Sequence, residues 1–385
     1  MSVQSETTFL SEVAGILNEQ GFDGLARCME ILINEAMFIE RQQVIGARHY
    51  ERSESRKGQA NGFKAKGVKS RVGELKLAIP QVRGGVDFYP SAIEKGLRSE
   101  RALKVAIAEM YVKGISTRRV TKVLEQMCGL DISSSDVSRA ASVLDEELAK
   151  WRNRPIGEIV HLILDARYEK VRIGGAVTSA AVLVAVGIQP DGRRVVLGVD
   201  VALSEAEVHW RDFLRGLLSR GMHGVLSVTS DDHSGLRAAL QSTIPGAICQ
   251  RCQFHLQRNA QAYVSKVSRK AEVASSIKAV FNAPDRNEAD RLLNMTVEKY
   301  QKCEPKLAQW METALPEGLA VFSLPKHTWV KLRTTNGVER LNREIARRTK
   351  IAGLFPNTDS ILRLVSALLS EISEEWETGR VYIKM

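Results

Sequence analysis

The sequence predicts a mixed α/β protein, a sheet with helices on its faces, preceded by a mainly helical region. Two observations carry that expectation. Residues 159–165, 177–188, 194–203 and 224–232 are apolar runs of strand length, rich in β-branched side chains. The stretches 205–220 and 334–350 repeat apolar residues at helical spacing. At 385 residues the chain exceeds what one hydrophobic core holds. It divides into 1–95, helical and basic; 96–154, all-helical; and 155–385, the α/β part.

Taken in order, residues 8–45 read as helix, with Leu10, Val13, Ile16 and Leu17 spaced three to four apart. Residues 46–71 are poor in apolar side chains and rich in Gly, Lys and Arg, which predicts a flexible basic segment. Alternation of Leu75, Leu77 and Ile79 marks a half-buried strand that Pro80 ends. In 96–150, Ser116 caps a helix that buries Val120, Val123, Leu124 and Met127, and Gly129 stops it. A second helix starts near Ser134 and buries Val137, Ala140, Ala141, Leu144 and Leu148. Two short helices across a glycine-containing turn match the helix-turn-helix outline, with Arg118, Arg119, Ser135, Ser138 and Arg139 placed to meet DNA. Most helical hairpins simply pack together, so that reading stays open here. Residues 151–155 form a hinge. Beyond it, Pro190-Asp191-Gly192 joins two strands as a hairpin, and 205–220 is an amphipathic helix burying Val208, Trp210, Phe213, Leu214, Leu217 and Leu218. Residues 257–330 are a polar, mostly helical insertion, and two further helices follow.

Composition excludes several classes. With 44% hydrophobic and 26% charged residues the chain reads as globular, not disordered. No apolar run reaches the roughly 18 residues of a membrane span, and MSVQSETTFL lacks the layout of a signal peptide. Five cysteines, an odd number, point to reduced thiols and a cytoplasmic protein. The net charge is +10, and it is concentrated. Residues 41–83 hold 11 basic and 3 acidic side chains, and 331–350 hold 7 and 2, which leaves the rest slightly acidic. Clustered positive charge is the footprint of a phosphate-backbone binder; two solvated basic faces without a partner are the plain alternative.

Two apolar strands end in acid, at Asp165 and at Asp231-Asp232. A carboxylate there must be paired, hydrogen-bonded or on a metal, because its desolvation is costly. Carboxylates at neighbouring strand ends suit a pair of Mg²⁺ ions, although Asp231 and Asp232 also stand where a helix cap would. In the helix 334–350, Val338, Leu341 and Ile345 form the apolar stripe, with Glu339, Arg343 and Arg347 beside it. A metal ligand followed by a row of phosphate-binding guanidiniums competes there with simple i,i+4 pairing of Glu339 and Arg343. Cys249, Cys252 and His255 have zinc-ligand spacing, but no fourth ligand is evident. No glycine-rich phosphate loop is present, so ATP is not implied.

These residues in their context resemble the mutator-type insertion-sequence transposases. The likeness rests on Asp165 in LILDARY, Asp231 in TSDDHSGL, Cys252-Gln-Phe-His255 with Arg258-Asn259, and Glu339 in TTNGVERLNREIARRTK. STRRVTKVLEQMCG, VSRAASVLDEELAKWRNRP, SEAEVHWRDFLRGLLSRG and GLFPN extend it over most of the chain. The resemblance implies an RNase H-like catalytic core with an Asp-Asp-Glu triad and a helical insertion between the second Asp and the Glu. By the same likeness Asp165, Asp231 (not Asp232) and Glu339 are the triad, binding two Mg²⁺ ions or Mn²⁺, while Cys252 and His255 are a signature without an assigned role. The implied activity is cleavage and strand transfer at the terminal inverted repeats of an insertion sequence. Arg118, Arg119, Ser135 and Arg139, together with Arg340, Arg343, Arg347 and Lys350, are the expected DNA contacts. A homodimer or larger assembly on double-stranded DNA, associated with the nucleoid and not with a membrane, is expected. An RNase H-like nuclease or resolvase, and a non-catalytic DNA-binding relative, are the rivals.

Overall fold

A computed structural model of the chain describes residues 2–48, 51, 53–96 and 98–384. It forms two compact units. The first comprises Met1–Tyr111 and Ile115–Val143; the second comprises Val112–Gly114 and Leu144–Met385. Among the described residues no helix is long and apolar enough to cross a membrane.

In the first unit the helical stretch is broken at Gly21 (φ 56°) into Ser2–Gln20 and Leu25–Ile45, joined by one 3-10 turn. Strands β1 (Gln59–Ser70) and β2 (Gly73–Arg83) then pair antiparallel. This corrects the flexible reading of 46–71. β1 exposes its side chains until Val68 and Ser70, so it carries no apolar alternation, and the ladder with β2 orders it. Pro80 does not end β2 either. It lies within the strand, opposite Phe63 and next to a register irregularity, where proline is tolerated. Leu75, Leu77 and Ile79 pack with Val68, Met37 and Ile93. The free edge of β2 is satisfied by the helix Leu25–Ile45: Lys76 N donates to Glu30 Oε1 at 2.6 Å and Ala78 N to Asn34 Oδ1 at 2.8 Å. Helices Thr117–Cys128 and Ser134–Ala141 follow. Ser116 accepts from Arg119 N, Gly129 ends the first helix at φ 61°, and Ser133 with Asp136 makes a capping box for the second. Val120 and Leu124 are buried, but Met127, in the last turn, is 75% exposed rather than core.

The second unit is built on a five-stranded sheet in the order β5-β4-β3-β6-β7. Its strands are β3 (His161–Ile173), β4 (Ala176–Ile188), β5 (Arg194–Ala202), β6 (Ser227–Ser230) and β7 (Ile248–Arg251). The first three run antiparallel as a meander, and β6 and β7 add in parallel beside β3. The sequence reading lacks β7, a four-residue strand with Cys, Gln and Arg in place of an apolar run.

Leu162, Leu164, Leu183 and Leu197 face the helices Glu207–Ser219 and Ser234–Thr243, which contribute Trp210, Phe213, Leu214, Leu217, Leu236 and Leu240. Val208 instead points out. The helix Thr358–Thr378 reaches β5, where Val196 N donates to Ser373 Oγ. The insertion has a core of its own, including Leu256, Ile277, Leu293, Tyr300, Met311 and Leu319.

Helix Ser234–Thr243 approaches the start of its neighbour so closely that a Cβ on Gly235 would lie 2.5 Å from Glu205 O and 2.7 Å from Glu207 N. Both are backbone atoms and have little room to yield. Gly235→Ala should therefore cost about 1–3 kcal/mol, read as a lower urea midpoint; an unchanged midpoint would contradict this packing.

Candidate active site

The parallel register of β3 and β6 pairs Leu162 with Val228 and Ile163 with Thr229. Two residues further on stand Asp165 and Asp231, side by side where β6 ends but β3 runs on, so the sequence expectation of a strand ending at Asp165 is corrected. Asp165 is still within β3, which continues because β4 pairs with it to Ile173. β6 stops at Ser230, so Asp231 and Asp232 begin the loop into the next helix. They do not cap it: His233 holds the N-cap position, without a side-chain cap bond.

The two loop acids have different surroundings. Asp232 pairs with Arg237 at 2.6 Å and Arg251 at 2.8 Å, and Glu317 bridges the same two arginines. Asp231 accepts the N–H of Asp232 and faces His255, whose Nδ1 lies 3.3 Å from Asp231 Oδ2. That is an ion-pair separation, although the nitrogen has no partner in good hydrogen-bond geometry.

Helix Asn336–Ala352 lies along β3 on the face that carries Ile163, Asp165, Arg167 and Glu169. A Cβ on Gly337 would meet Ile163 Cδ1 at 3.8 Å, Asn342 Nδ2 donates to Asp165 Oδ2, Arg167 Nη1 to Asn342 O, and Thr349 Oγ1 to Glu169 Oε1. From residue 337 to 349 a helix rises about 18 Å, and from 163 to 169 a strand rises about 20 Å, so the two elements keep step. Glu339 falls between the Gly337 and Asn342 contacts. It is three residues, about 60° around the axis, from Asn342. Its side chain is exposed. Arg340, Arg343, Arg347 and Lys350 are exposed too, within about 100° of arc on the same side. Arg347 pairs with Glu344 at 2.9 Å. Val338, Leu341 and Ile345 are buried on the opposite stripe.

The structure therefore brings Asp165 and Asp231 together with His255 and Asn342, and leaves Glu339 beside this group, not in it. Among the described residues no three His, Cys, Asp or Glu side chains form a ready metal cluster. Asn342 is a residue missed by sequence reasoning, because its partner, Asp165, is distant along the chain.

The electrostatics follow from burial. Burial pushes Asp165 up to about 6, although the charge of His255, the Ala166 N–H and the Asn342 amide oppose it and Asp231 adds to it. Burial also acts on Asp231, but is outweighed by His255, the Asp232 N–H and the charge of Arg258, which hold it below the usual range. His255 is half-buried, which would lower it, yet the neighbouring Asp231 and Cys252, with their charges, raise it to about 10. Cys252 is fully buried and its sulfur meets Thr335 N at 3.3 Å, whereas Cys249 is exposed on β7. In the first unit Arg118, Arg119, Ser135 and Arg139 are all exposed, Arg139 pairing with Asp136.

With this geometry in view, the sequence was compared with known proteins. A family model described as "Transposase, Mutator family" matches residues 1–379. The transposase for insertion sequence element IS406 of Burkholderia multivorans is 53% identical over 385 residues, covering 100% of this chain and 99% of its own. The transposase for ISRM5 of Rhizobium meliloti is 41% identical, covering 94% and 91%. The transposase for IS256 in transposon Tn4001 of Staphylococcus aureus is 34% identical, covering 97% and 96%.

The raised Asp165 carboxyl gives a stability test. Between the ordinary carboxyl range and about 6 the folded chain binds more protons than the unfolded chain, so this group makes stability fall as pH rises through that window. Above it the whole penalty persists. Asp165→Asn removes the penalty and should raise the urea midpoint over the parent at pH 7.5, with the two converging at pH 4. An equal difference at both pH values would contradict the desolvation argument.

Proposed function

The chain belongs to the mutator family of transposases, and from that premise we propose that Asp165, Asp231 and Glu339 are the triad of an RNase H-like core that cuts and joins DNA. The observation that carries this reading is the parallel pairing of β3 with β6, which sets two carboxylates side by side, with the helix bearing Glu339 running along β3 at their height. A meander of three antiparallel strands continued by two parallel ones supports the same core.

The residues fit a hard divalent cation. Asp165 and Asp231 offer oxygen donors, the kind Mg²⁺ takes, and burial keeps the Asp165 carboxyl raised despite the charge of His255. Rotation of the exposed Glu339 side chain toward Asp165 would add a third carboxylate. These residues would hold two Mg²⁺ ions, with Mn²⁺ as a substitute, and the metal would supply Lewis acidity for phosphoryl transfer. The chain's own residues do the rest. Asp165 and Asp231 hold the charge at a fixed place, and Arg340, Arg343, Arg347 and Lys350 seat the phosphodiester backbone along the same helix. Hydrolysis of one phosphodiester at the element end leaves a 3′-hydroxyl. Attack of that hydroxyl on target DNA forms one phosphodiester as it breaks another, so joining needs no external energy source.

Recognition of the terminal inverted repeats falls to the first unit. Helices Thr117–Cys128 and Ser134–Ala141 form a helix-turn-helix that presents Arg118, Arg119, Ser135 and Arg139, and the basic β1–β2 hairpin adds phosphate contacts. Joining two ends calls for at least a dimer on DNA, working at the cytoplasmic nucleoid.

A strand-transfer assay with pre-nicked ends tests the chemistry. Asp165→Asn and Glu339→Gln should abolish joined products while leaving end binding within about twofold; cleavage without any joining by the parent protein would favour a nuclease, and joining by either variant would remove the triad. Arg343→Ala should weaken binding across all sequences and lower the salt slope by about 1, whereas Arg118→Ala should weaken discrimination between repeat and unrelated DNA. An unchanged salt slope for Arg343→Ala would take that residue out of the DNA path.

A further inference from the structure

From the contacts around Cys252 we infer that Cys252 and His255 act as a positioning bracket that ties the loop bearing Asp231 to the helix bearing Glu339. Cys252 follows β7 directly and begins the helix Gln253–Ala260. Its N–H donates to Ser230 O at 2.8 Å, the residue before Asp231. Its sulfur, wholly buried, accepts from Thr335 N at 3.3 Å and lies 3.4 Å from Thr335 Oγ1. Thr335 O in turn accepts from Glu339 N at 3.0 Å and Val338 N at 2.7 Å, the first bonds of the Glu339 helix. One turn beyond Cys252, His255 reaches back to Asp231, with Nδ1 3.3 Å from the carboxylate.

The path is short and continuous: Asp231 to His255 and Cys252, Cys252 to Thr335, Thr335 to Glu339. Two further bonds brace the same join, Gln253 N to Arg333 O at 3.0 Å and Thr229 Oγ1 to Leu332 O at 2.7 Å. The bracket explains why the signature pairs these two residues at this spacing. Position 252 must be small and buried to meet Thr335, and position 255 lies on the same side of the turn, toward Asp231. Both are positioning residues, acting through Asp231 and Thr335. A group that orients a metal ligand is typically worth about 10–100-fold in metal affinity or activity.

The inference rests on the triad reading, and the test separates the two. Mn²⁺ binding to the full chain on terminal-repeat DNA is followed by electron paramagnetic resonance, beside joining rate and thermal midpoint. Cys252→Ala and His255→Ala should each weaken Mn²⁺ binding and slow joining about 10–100-fold, with end binding unchanged and joining partly recovered at high Mn²⁺. Cys252→Ser and His255→Asn, which keep a small polar group in place, should recover much of both; they also carry the test if Cys252→Ala fails to fold. Folded Ala variants with Mn²⁺ affinity and joining within twofold of the parent would overturn the bracket. If Asp231→Asn and Glu339→Gln also kept joining, it is the triad reading that would fall.

Discussion

The site depends on one constraint, the parallel pairing of β3 with β6. It sets Asp165 and Asp231 next to each other, with Asp165 where burial makes charge costly. Everything close by answers that cost. Asn342 donates to one carboxylate, Asp232 N–H and His255 serve the other, and burial still wins at Asp165, which titrates near 6.

The surrounding architecture keeps that pair in register with the third acid. Helix Asn336–Ala352 matches β3 in length over the contact, so its strand-facing side chains fall on alternate β3 residues while its exposed face keeps Glu339 and the basic stripe together. The long insertion between Asp231 and Glu339 is folded around its own apolar core and joins the sheet at β7, where Gln250 bonds Gly318 and Val321. Its last segment returns to the strand ends through Leu332, Arg333 and Thr335, whose bonds to Thr229, Gln253 and Cys252 set where the helix Asn336–Ala352 begins. The ion-pair network of Asp232, Arg237, Arg251 and Glu317 occupies the next loop position and leaves Asp231 free to face Asp165.

Much of the sheet was legible because its strands are buried and therefore apolar, and the acids at 165 and 231 were visible as breaks in that pattern. What escaped the sequence was held by backbone or by partners remote along the chain. β1 shows its side chains to solvent and β7 is four polar-flanked residues, so neither carries a periodic signal. Pro80 sat inside a strand because a register irregularity accommodates it. Met127 and Val208 satisfied helical spacing yet face solvent, since spacing defines a stripe without saying how wide the covering surface is. Asn342 and Thr335 could not be singled out, because their roles come from Asp165 and Cys252, both distant in sequence.

The central claim is that three acids meet around shared metal ions on DNA. Crystals of the chain bound to terminal-repeat DNA in Mn²⁺, with anomalous scattering recorded, test it most directly. The account predicts manganese between Asp165 and Asp231, with the Glu339 carboxylate turned in as a ligand. Manganese bound elsewhere, or Glu339 still facing solvent in the DNA-bound state, would contradict it.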